Sequence, residues 1–388
     1  MDDNYLRELV EAVKLRDGGV VLSVGDKPEA VVLTIEKYNQ LVTNAPLFAS
    51  VGSEGVPEEQ LQSRWVLVTG GAGYIGAHTV RLLQQEGWQV VVLDNLSTGR
   101  REFVPETAVF IEGDISNQGL VADICGQYPL QGVLHFAASL EVAESLQKPF
   151  EYLHNNALGT AALIDALNKA GVKNIVLSST AAIYGAQLEV PIKESALPSP
   201  SSPYGYSKFL AEHILEYATR YSGFHGTVLR YFNVVGAEHT WGLFDTHSAS
   251  HVVPTIMEVA RGAREHFTIN GSDYNTFDGT CVRDYIHVLD IAQAHILALE
   301  TTLKRPGFAV YNVGTGRGVS VQQLVQTAAE ITGHMIPIVL GPRRLGDDEI
   351  TLADTQKITK ELGFKTQHSE LETMLMSSWQ SFQERVVH

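Results

Sequence analysis

The stretch WVLVTGGAGYIGAHTV, residues 65–80, joins an apolar run to three glycines and then to an amphipathic segment. Gly70, Gly73 and Gly76 are spaced G-x-x-G-x-x-G. This pattern predicts a strand, a tight turn and a helix. The turn lets the backbone approach a pyrophosphate, and the helix N-terminus favours negative charge. Glycines also serve turns and close packing, so the prediction of a dinucleotide site depends on its surroundings.

A second apolar run, residues 90–93, ends at Asp94, a short distance along the chain from Gly76. An acid at this distance accepts hydrogen bonds from the adenosine ribose of NAD and repels the 2′-phosphate of NADP. The stretch therefore predicts NAD as the cofactor. The alternative is that Asp94 only caps the end of its strand.

Apolar runs of strand length alternate with helix-like segments from Arg64 onward. Near-continuous apolar strands alternating with helices indicate a doubly wound parallel sheet of the Rossmann type, covered on both faces. The predicted strands are residues 65–69, 90–93, 108–111, 132–136, 174–178 and 227–231, and the clearest predicted helices are 74–86, 150–170 and 204–222.

Changes in composition predict the division into domains. The alternation weakens after residue 236, which predicts an NAD-binding domain over 64–236 and a smaller substrate-binding domain over 237–388. Residues 45–63 are rich in small, polar and breaker residues and are predicted to be a linker. Residues 1–44 are predicted to form a small α+β appendage, with a helix followed by short apolar runs at 20–22 and 30–35.

Charge and composition exclude several classes of partner. The chain has 388 residues, a net charge of −16 and two cysteines. A nucleic-acid or membrane partner is not expected of so acidic a chain, although a local basic pocket for a phosphorylated ligand remains compatible with it. Two distant cysteines give no disulfide framework or metal site. With no signal-peptide pattern and no long apolar stretch, we expect a cytoplasmic protein.

Candidate site residues follow the predicted strands, where a doubly wound sheet forms its ligand crevice. Asp114 and Ile115 follow the third strand, and Phe136, Ala137 and Ala138 follow the fourth. The fifth strand ends in the hydroxyls of Ser178, Ser179 and Thr180, which a plain serine/threonine turn also explains. For Asn155, at the start of a long helix, a cap is as good an explanation as a functional role.

Tyr204 and Lys208 are four residues apart in SSPYGYSK, residues 201–208. With Ser202 as N-cap and Pro203 as the first helical residue, Tyr204 falls in the first turn and Lys208 one turn later. A tyrosine base near pH 7 needs its pKa lowered from about 10. Lys208, the helix N-terminus and oxidised nicotinamide are expected to lower it. Chance explains this spacing taken alone, but not after a dinucleotide loop, with Thr180 placed to relay the proton.

The chain from about residue 65 to 384 resembles the extended short-chain dehydrogenase/reductase superfamily and, more narrowly, its UDP-glucose 4-epimerase group. The matching stretches occur in the family's order and include VLVTGGAGYIGAHTV, LDNLSTG, HFAA, SSTAAIYG, SPYGYSK, LRYFNVVGA, VRDYIHV and RRLGDD. The resemblance implies NAD-dependent interconversion of UDP-glucose and UDP-galactose through a 4-keto sugar. It also implies a homodimer, and a return of segment 287–313 to the nucleotide domain.

The resemblance also implies a role for each matching residue. Tyr204, Lys208 and Thr180 would be catalytic. The residues expected to bind NAD are Gly70, Gly73, Tyr74, Ile75, Gly76, Asp94, Asn95, Asp114, Ile115, Phe136, Ala137, Ala138, Asn155, Ser178, Tyr204, Lys208 and Tyr231. Those expected to bind the UDP-sugar are Thr180, Tyr204, Asn233, Arg283, Arg344, Asp347 and Thr351, the arginines because guanidinium groups pair with diphosphate oxygens.

Three positions depart from the group's pattern or vary within it. Leu140 and His251 replace a lysine and an asparagine found in some members, and Thr351 is small where some members have tyrosine. A small residue at 351 leaves room for a 2-acetamido group, so UDP-N-acetylglucosamine is a further candidate substrate. UDP-xylose/arabinose and UDP-glucuronate remain open alternatives.

Two readings outside 4-epimerisation also remain. A 4,6-dehydratase or decarboxylase of the superfamily needs an acid just after Thr180, where this chain has Ala181 and Ala182. A non-catalytic NAD-binding regulator would use residues 1–44 to contact a partner. Those residues faintly resemble the N-terminal module of Phd/YefM-type antitoxins, but residues 1–63 carry 11 acidic and 5 basic side chains, against DNA binding.

Overall fold

The computed structural model describes residues 19–24, 27–33, 64–246, 251–344 and 348–384. The chain divides into two compact units, Met1–Gln62 and Ser63–His388. In the first unit, β1 (Gly19–Val24) and β2 (Lys27–Leu33) form an antiparallel hairpin. This hairpin covers most of the two apolar runs predicted for the appendage. The predicted helices of the appendage and the predicted linker lie outside the described residues.

The second unit alternates strands and helices over most of its length. Its strands are β3 (Trp65–Thr69), β4 (Gln89–Asp94), β5 (Val109–Glu112), β6 (Leu130–His135), β7 (Asn174–Thr180), β8 (His225–Tyr231), β9 (Asn233–Val235), β10 (Phe267–Asn270), β11 (Val282–His287), β12 (Phe308–Val313), β13 (Gly318–Ser320), β14 (Ile338–Gly341) and β15 (Ile350–Thr351). Its α-helices are α1 (Tyr74–Gln85), α2 (Gln118–Gln127), α3 (Val142–Gln147), α4 (Pro149–Tyr152), α5 (Gly159–Ala170), α6 (Pro203–Ser222), α7 (Val252–Ala260), α8 (Val288–Lys304), α9 (Val321–Thr332), α10 (Gln356–Leu362) and α11 (Leu371–Glu384).

Seven parallel strands form the main sheet, in the order β12-β8-β7-β6-β3-β4-β5. This arrangement confirms the predicted fold class, a doubly wound Rossmann-type sheet. All six predicted strands are present in it. The seventh, β12, comes from much later in the chain and pairs with β8 at the edge. The domain boundaries proposed from composition remain predictions.

Both faces of the sheet are buried because neighbouring residues in each strand point to opposite sides. Along β3, Val66 and Val68 pack into a cluster that includes Leu83 of α1 and Leu299 of α8. Leu67 between them packs into the cluster on the other face, which α2, α5 and α6 supply. Uninterrupted apolar runs such as WVLV are therefore what this sheet requires.

The remaining strands build a second lobe. Strands β13, β11 and β15 form a mixed sheet that β9 joins through β11, and β10 pairs with β14. Helices α7, α9 and α11 enclose a separate apolar core in this lobe, around Met257, Leu324 and Leu375. Among the described helices, none is long and apolar enough to cross a membrane.

The close approach at Gly76 gives a test of the fold. A Cβ at Gly76 would lie 2.2 Å from the carbonyl oxygen of Gly70, which is backbone and cannot move aside cheaply. We expect Gly76→Ala to lower the free energy of unfolding by about 1–3 kcal/mol, as overpacking does. Urea denaturation followed by circular dichroism measures this change.

Gly126 provides the matched control, because it lies in helix α2 with nothing within 4 Å of an added Cβ. Gly126→Ala should leave stability unchanged or raise it by up to about 1 kcal/mol. A Gly76→Ala protein as stable as wild type would contradict the packing described for the loop.

Candidate active site

One large cavity, of about 1020 Å³, lies at the carboxyl ends of the parallel strands. Strands β4 and β6 lie on either side of β3 there, so the chain leaves the sheet in opposite directions and opens a crevice. Every residue predicted to bind NAD lines this cavity, as do Thr180, Asn233, Arg283 and Arg344 from the predicted substrate set. The structure thus brings the two predicted sets together, while the roles of the individual residues remain predictions.

The glycine loop has the shape that a pyrophosphate needs. Gly70 has a positive φ of 72°, and a Cβ there would lie 2.5 Å from the backbone nitrogen of Ala137. Gly73 is the N-cap of α1 and carries no capping side chain, so the first amides of the helix stay available to an anion. The loop residues therefore fit a dinucleotide.

Asp94 holds the loop from the next strand. One carboxylate oxygen accepts a hydrogen bond from the amide of Ala72 at 3.0 Å, and the other accepts from the amide of Leu96 at 2.9 Å. Burial raises the pKa of Asp94, and these two bonds oppose the rise. The capping role considered for Asp94 is thus present, and each oxygen keeps a second lone pair for a ribose hydroxyl.

Neighbouring polar groups complete the adenosine side of the cavity. The Asn95 amide donates to Asp114 at 2.9 Å, and Ser116 also donates to that carboxylate. Burial of Asp114 is outweighed by the bonds from Ser116 and Asn95, so its pKa lies below the usual value. Tyr74 is buried, and its hydroxyl donates to the carbonyl of Gly236.

The predicted catalytic residues converge on the opposite side of the cavity. Helix α6 begins as predicted, with the Ser202 hydroxyl accepting from the amide of Gly205 at 3.1 Å and Pro203 in the first turn. Tyr204 is hydrogen-bonded to the side chain of Thr180 at the end of β7. Nearby, Ser178 and Tyr231 share a hydrogen bond between their hydroxyls.

The pKa values of the pair run against the simple expectation for a tyrosine base. Burial raises the pKa of Tyr204 to about 12, although the hydrogen bond from Thr180 lowers it, and Glu141 adds to the rise. Burial also lowers the pKa of Lys208 to about 8, against the attraction of Glu212. Desolvation thus outweighs the lowering expected from Lys208 and the helix N-terminus.

A π-helical turn at Leu153–Leu158 interrupts the single helix predicted over 150–170. Asn155 lies in this turn and donates to the Ser139 hydroxyl at 3.0 Å. The next residue, Asn156, is buried and was not predicted. Its side chain accepts from the amide of Ser139 and donates to the Ser207 hydroxyl at 2.9 Å. It therefore ties the loop after β6 to the turn of α6 that separates Tyr204 from Lys208.

The second lobe supplies the cationic end of the cavity. Arg264, Arg283 and Arg344 all line it. Arg283 donates to the carbonyl of Asp348 at 2.8 Å. Arg344 donates from Nε to the side-chain oxygen of Asn270 at 3.1 Å once that amide is correctly oriented. In a chain of net charge −16, this is the kind of local basic pocket that a diphosphate requires.

The remaining predicted substrate residues differ in their placement. Thr351 lies in β15, outside the cavity lining, with Arg283 as its register partner. Asp347 lies outside the described residues.

His251 lines the cavity, and its Nδ1 lies 2.8 Å from a carboxylate oxygen of Asp245. Its pKa is raised, because the pairing with Asp245 outweighs burial. The lining residues 252–255, 264–268 and 270 were not predicted from the sequence.

Comparisons with known proteins agree with this site. The pattern of the NAD dependent epimerase/dehydratase family matches residues 66–314. UDP-glucose 4-epimerase of Halalkalibacterium halodurans is 42% identical over 315 residues, which is 81% of this chain and 94% of that protein.

Solved structures give the same picture. The crystal structure of UDP-glucose 4-epimerase from Brucella ovis in complex with NAD superposes with a TM-score of 0.80 at 40% identity, covering 82% of this chain and 98% of the other. UDP-glucose-4-epimerase from Stenotrophomonas maltophila, with bound NAD and formylated UDP-arabinopyranose, gives 0.80 at 38% identity, covering 83% and 99%. With the family pattern matching well over half of its length, this chain belongs to the NAD dependent epimerase/dehydratase family.

Proposed function

We propose that the protein is an NAD-dependent UDP-glucose 4-epimerase, which interconverts UDP-glucose and UDP-galactose. The observation that carries the proposal is the single cavity that joins a glycine loop, the Thr180–Tyr204–Lys208 group and the arginines of the second lobe. The loop fits a dinucleotide, and the arginines fit a nucleotide diphosphate. A sugar between the two ends would lie beside Tyr204.

The proposed chemistry assigns one task to each side chain. Tyr204 takes the proton of the sugar C4 hydroxyl, directly or through the hydroxyl of Thr180, to which it is hydrogen-bonded. Lys208, one turn further along α6, stabilises the phenolate form of Tyr204 that accepts this proton. Bound NAD supplies the acceptor for the C4 hydride and returns it to the other face of the 4-keto sugar. Tyr204 then gives its proton back.

The end of β7 favours epimerisation over elimination. Ala181 and Ala182 follow Thr180 in a short 3₁₀ turn. A 4,6-dehydratase would need a carboxylic acid there to donate a proton to the leaving hydroxyl.

We expect the site to accept sugars larger than glucose. Paired residues in neighbouring strands face the same way, so the side chain of Thr351 is on the face of Arg283, which lines the cavity. Thr351 lies outside the cavity lining, so its closeness to the sugar rests on the family resemblance; with a small residue at that position, we propose UDP-N-acetylglucosamine as an additional substrate.

We also propose a cytoplasmic homodimer. Helices α3, α4 and α6 and the π-helical turn pack together. They carry large apolar side chains on the surface: Leu146 is 63% exposed, Phe150 80%, Leu158 55%, Tyr217 66% and Tyr221 63%. A cluster of this kind is typical of a protein–protein interface, and a second copy would cover it.

Loss of the Tyr204 hydroxyl tests the proposed base. Tyr204→Phe removes the hydroxyl and should lower kcat for UDP-glucose to UDP-galactose interconversion by about 10²–10⁴-fold, the range for loss of a general base. The experiment incubates purified protein with UDP-glucose without added NAD and identifies the product by chromatography. Tyr206→Phe, an exposed tyrosine of the same helix, is the matched control and should retain full activity. Full activity of Tyr204→Phe would refute the mechanism.

A larger side chain at position 351 tests the proposed sugar specificity. Thr351→Tyr should reduce turnover of UDP-N-acetylglucosamine at least about tenfold while changing that of UDP-glucose much less, because the acetamido group loses its space. Thr351→Ser keeps the space and serves as control. A wild-type protein that accepts UDP-glucose and rejects UDP-N-acetylglucosamine would show that the space is filled by something else.

A charge on the exposed apolar surface tests the proposed homodimer. Phe150→Glu places a charge on the apolar surface and should convert a dimer into a monomer in sedimentation velocity measurements. Met335→Glu, at a side chain that is 86% exposed on the second lobe, should leave the dimer intact. A monomeric wild type would contradict the proposed assembly directly.

A further inference from the structure

Thr180, Lys208 and Tyr231 line one side of the cavity, here called the proposed catalytic wall. Each of them has a buried neighbour that points away from the cavity. In β7 and β8, Thr180 and Tyr231 line the cavity, while Ser179 and Arg230 face the opposite side, as alternation along a strand requires. In α6, Lys208 is followed one turn later by Glu212. Ser179, Arg230 and Glu212 are all buried.

These buried neighbours meet at one carboxylate. Glu212 accepts hydrogen bonds from the Ser179 hydroxyl and from Arg230, whose Nη2 lies 2.6 Å from Oε2 and whose Nε lies 3.1 Å from Oε1. The guanidinium thus engages both carboxylate oxygens, which fixes orientation as well as distance. One ion pair therefore connects β7, α6 and β8 directly behind the cavity.

The network continues into the edge of the sheet. Arg230 Nη1 donates to the hydroxyl of Tyr184 at 3.0 Å, and that hydroxyl donates to the side-chain oxygen of Asn312 in β12 at 2.7 Å. The backbone amide of Asn312 donates to a carboxylate oxygen of Glu194 at 2.9 Å. With these partners the charges of the pair are well satisfied, which a buried ion pair needs in order not to destabilise the fold.

The charges around Lys208 give the carboxylate a second effect. His135 of β6 faces Lys208, but burial and Lys208 lower its pKa to about 3, so it is neutral. Its ring nitrogens interact with the hydroxyls of Thr69 and Thr160. Burial raises the pKa of Tyr204 to about 12, and the charge of Glu141 raises it further. Burial lowers the pKa of Lys208, and the carboxylate of Glu212 opposes this lowering.

We propose that Glu212 and Arg230 are positioning residues for the catalytic group. Their ion pair holds Thr180, Lys208 and Tyr231 in register, and the carboxylate of Glu212 keeps the Lys208 ammonium charged. This inference rests on the catalytic roles proposed above. Neither residue lines the cavity, so both act through their neighbours.

The test replaces the charge of Glu212 and keeps its shape. For Glu212→Gln, kcat of the NAD-bound full chain with UDP-glucose is measured from pH 6 to 9.5. We expect the alkaline limb, which follows deprotonation of Lys208, to move to lower pH by about one unit, because the variant removes the carboxylate one helical turn away and leaves the Arg230 cation unpaired. A role in structure alone would lower kcat by the same factor at every pH.

A matched control separates this effect from general destabilisation. Asp290 is also a buried carboxylate, and it accepts from the backbone amides of Gln367 and His368 in the second lobe, away from the cavity lining. Asp290→Asn should leave the pH profile unchanged in shape. If Glu212→Gln does not fold, Glu212→Gln/Arg230→Gln leaves no unpaired charge; its shift should have the same sign but be smaller, because the pair that it removes is net neutral.

A second measurement keeps the inference independent of the proposed reaction. Titration of the Lys208 side chain by ¹³C NMR, with the signal assigned by its loss in Lys208→Met, should give a lower pKa in Glu212→Gln than in wild type. An unchanged titration and a pH profile parallel to wild type would overturn the inference. A wild-type protein that does not turn over UDP-glucose would overturn the proposed function. The NMR titration alone would then test the role of Glu212.

Discussion

Backbone approaches backbone around the glycine loop more closely than any side chain would permit. An added Cβ at Gly70 would lie 2.5 Å from the backbone nitrogen of Ala137, and one at Gly76 would lie 2.2 Å from the carbonyl oxygen of Gly70, both well inside van der Waals contact. Because of this contact, the end of β3, the start of α1 and the loop after β6 meet at one point. Asp94 then holds the loop through the amide of Ala72. The cavity and the residues that line it depend on this meeting point.

Desolvation sets the chemistry of the site in both directions. It raises the pKa of Tyr204 and lowers that of Lys208, so it disfavours the charged forms of both residues of the proposed pair. Burial alone would disfavour both the phenolate of Tyr204 and the ammonium of Lys208. Fixed charges in and behind the cavity therefore decide whether the tyrosine can ionise. The buried Glu212–Arg230 pair is one such source of charge.

Much of the fold could be predicted from the sequence because its signals are local. The apolar run, the glycines and the strand-end acid lie within 30 residues and make a single βαβ unit recognisable. The start of α6 could be predicted equally well, from Ser202 and Pro203. The π-helical turn was not, because Leu153–Leu158 is as compatible with an α-helix as its neighbours are. Asn156 and Glu212 gain their importance from partners distant in sequence, which no local pattern reveals. Apart from residues 252–255 of α7, the second lobe supplies most of its lining from short strands and loops that carry no periodicity.

The position of β12 has a consequence for how the protein is made. It completes the edge of the main sheet beside β8, yet it follows the second lobe's first strands in the chain. At about 5–20 residues per second, a ribosome needs several seconds to pass from the end of β8 to Phe308–Val313. During that interval β8 presents unpaired amides and carbonyls to the other nascent chains around it. Its partner strand brings Asn312, so the last strand to join the sheet also closes the hydrogen-bond chain behind the proposed catalytic wall.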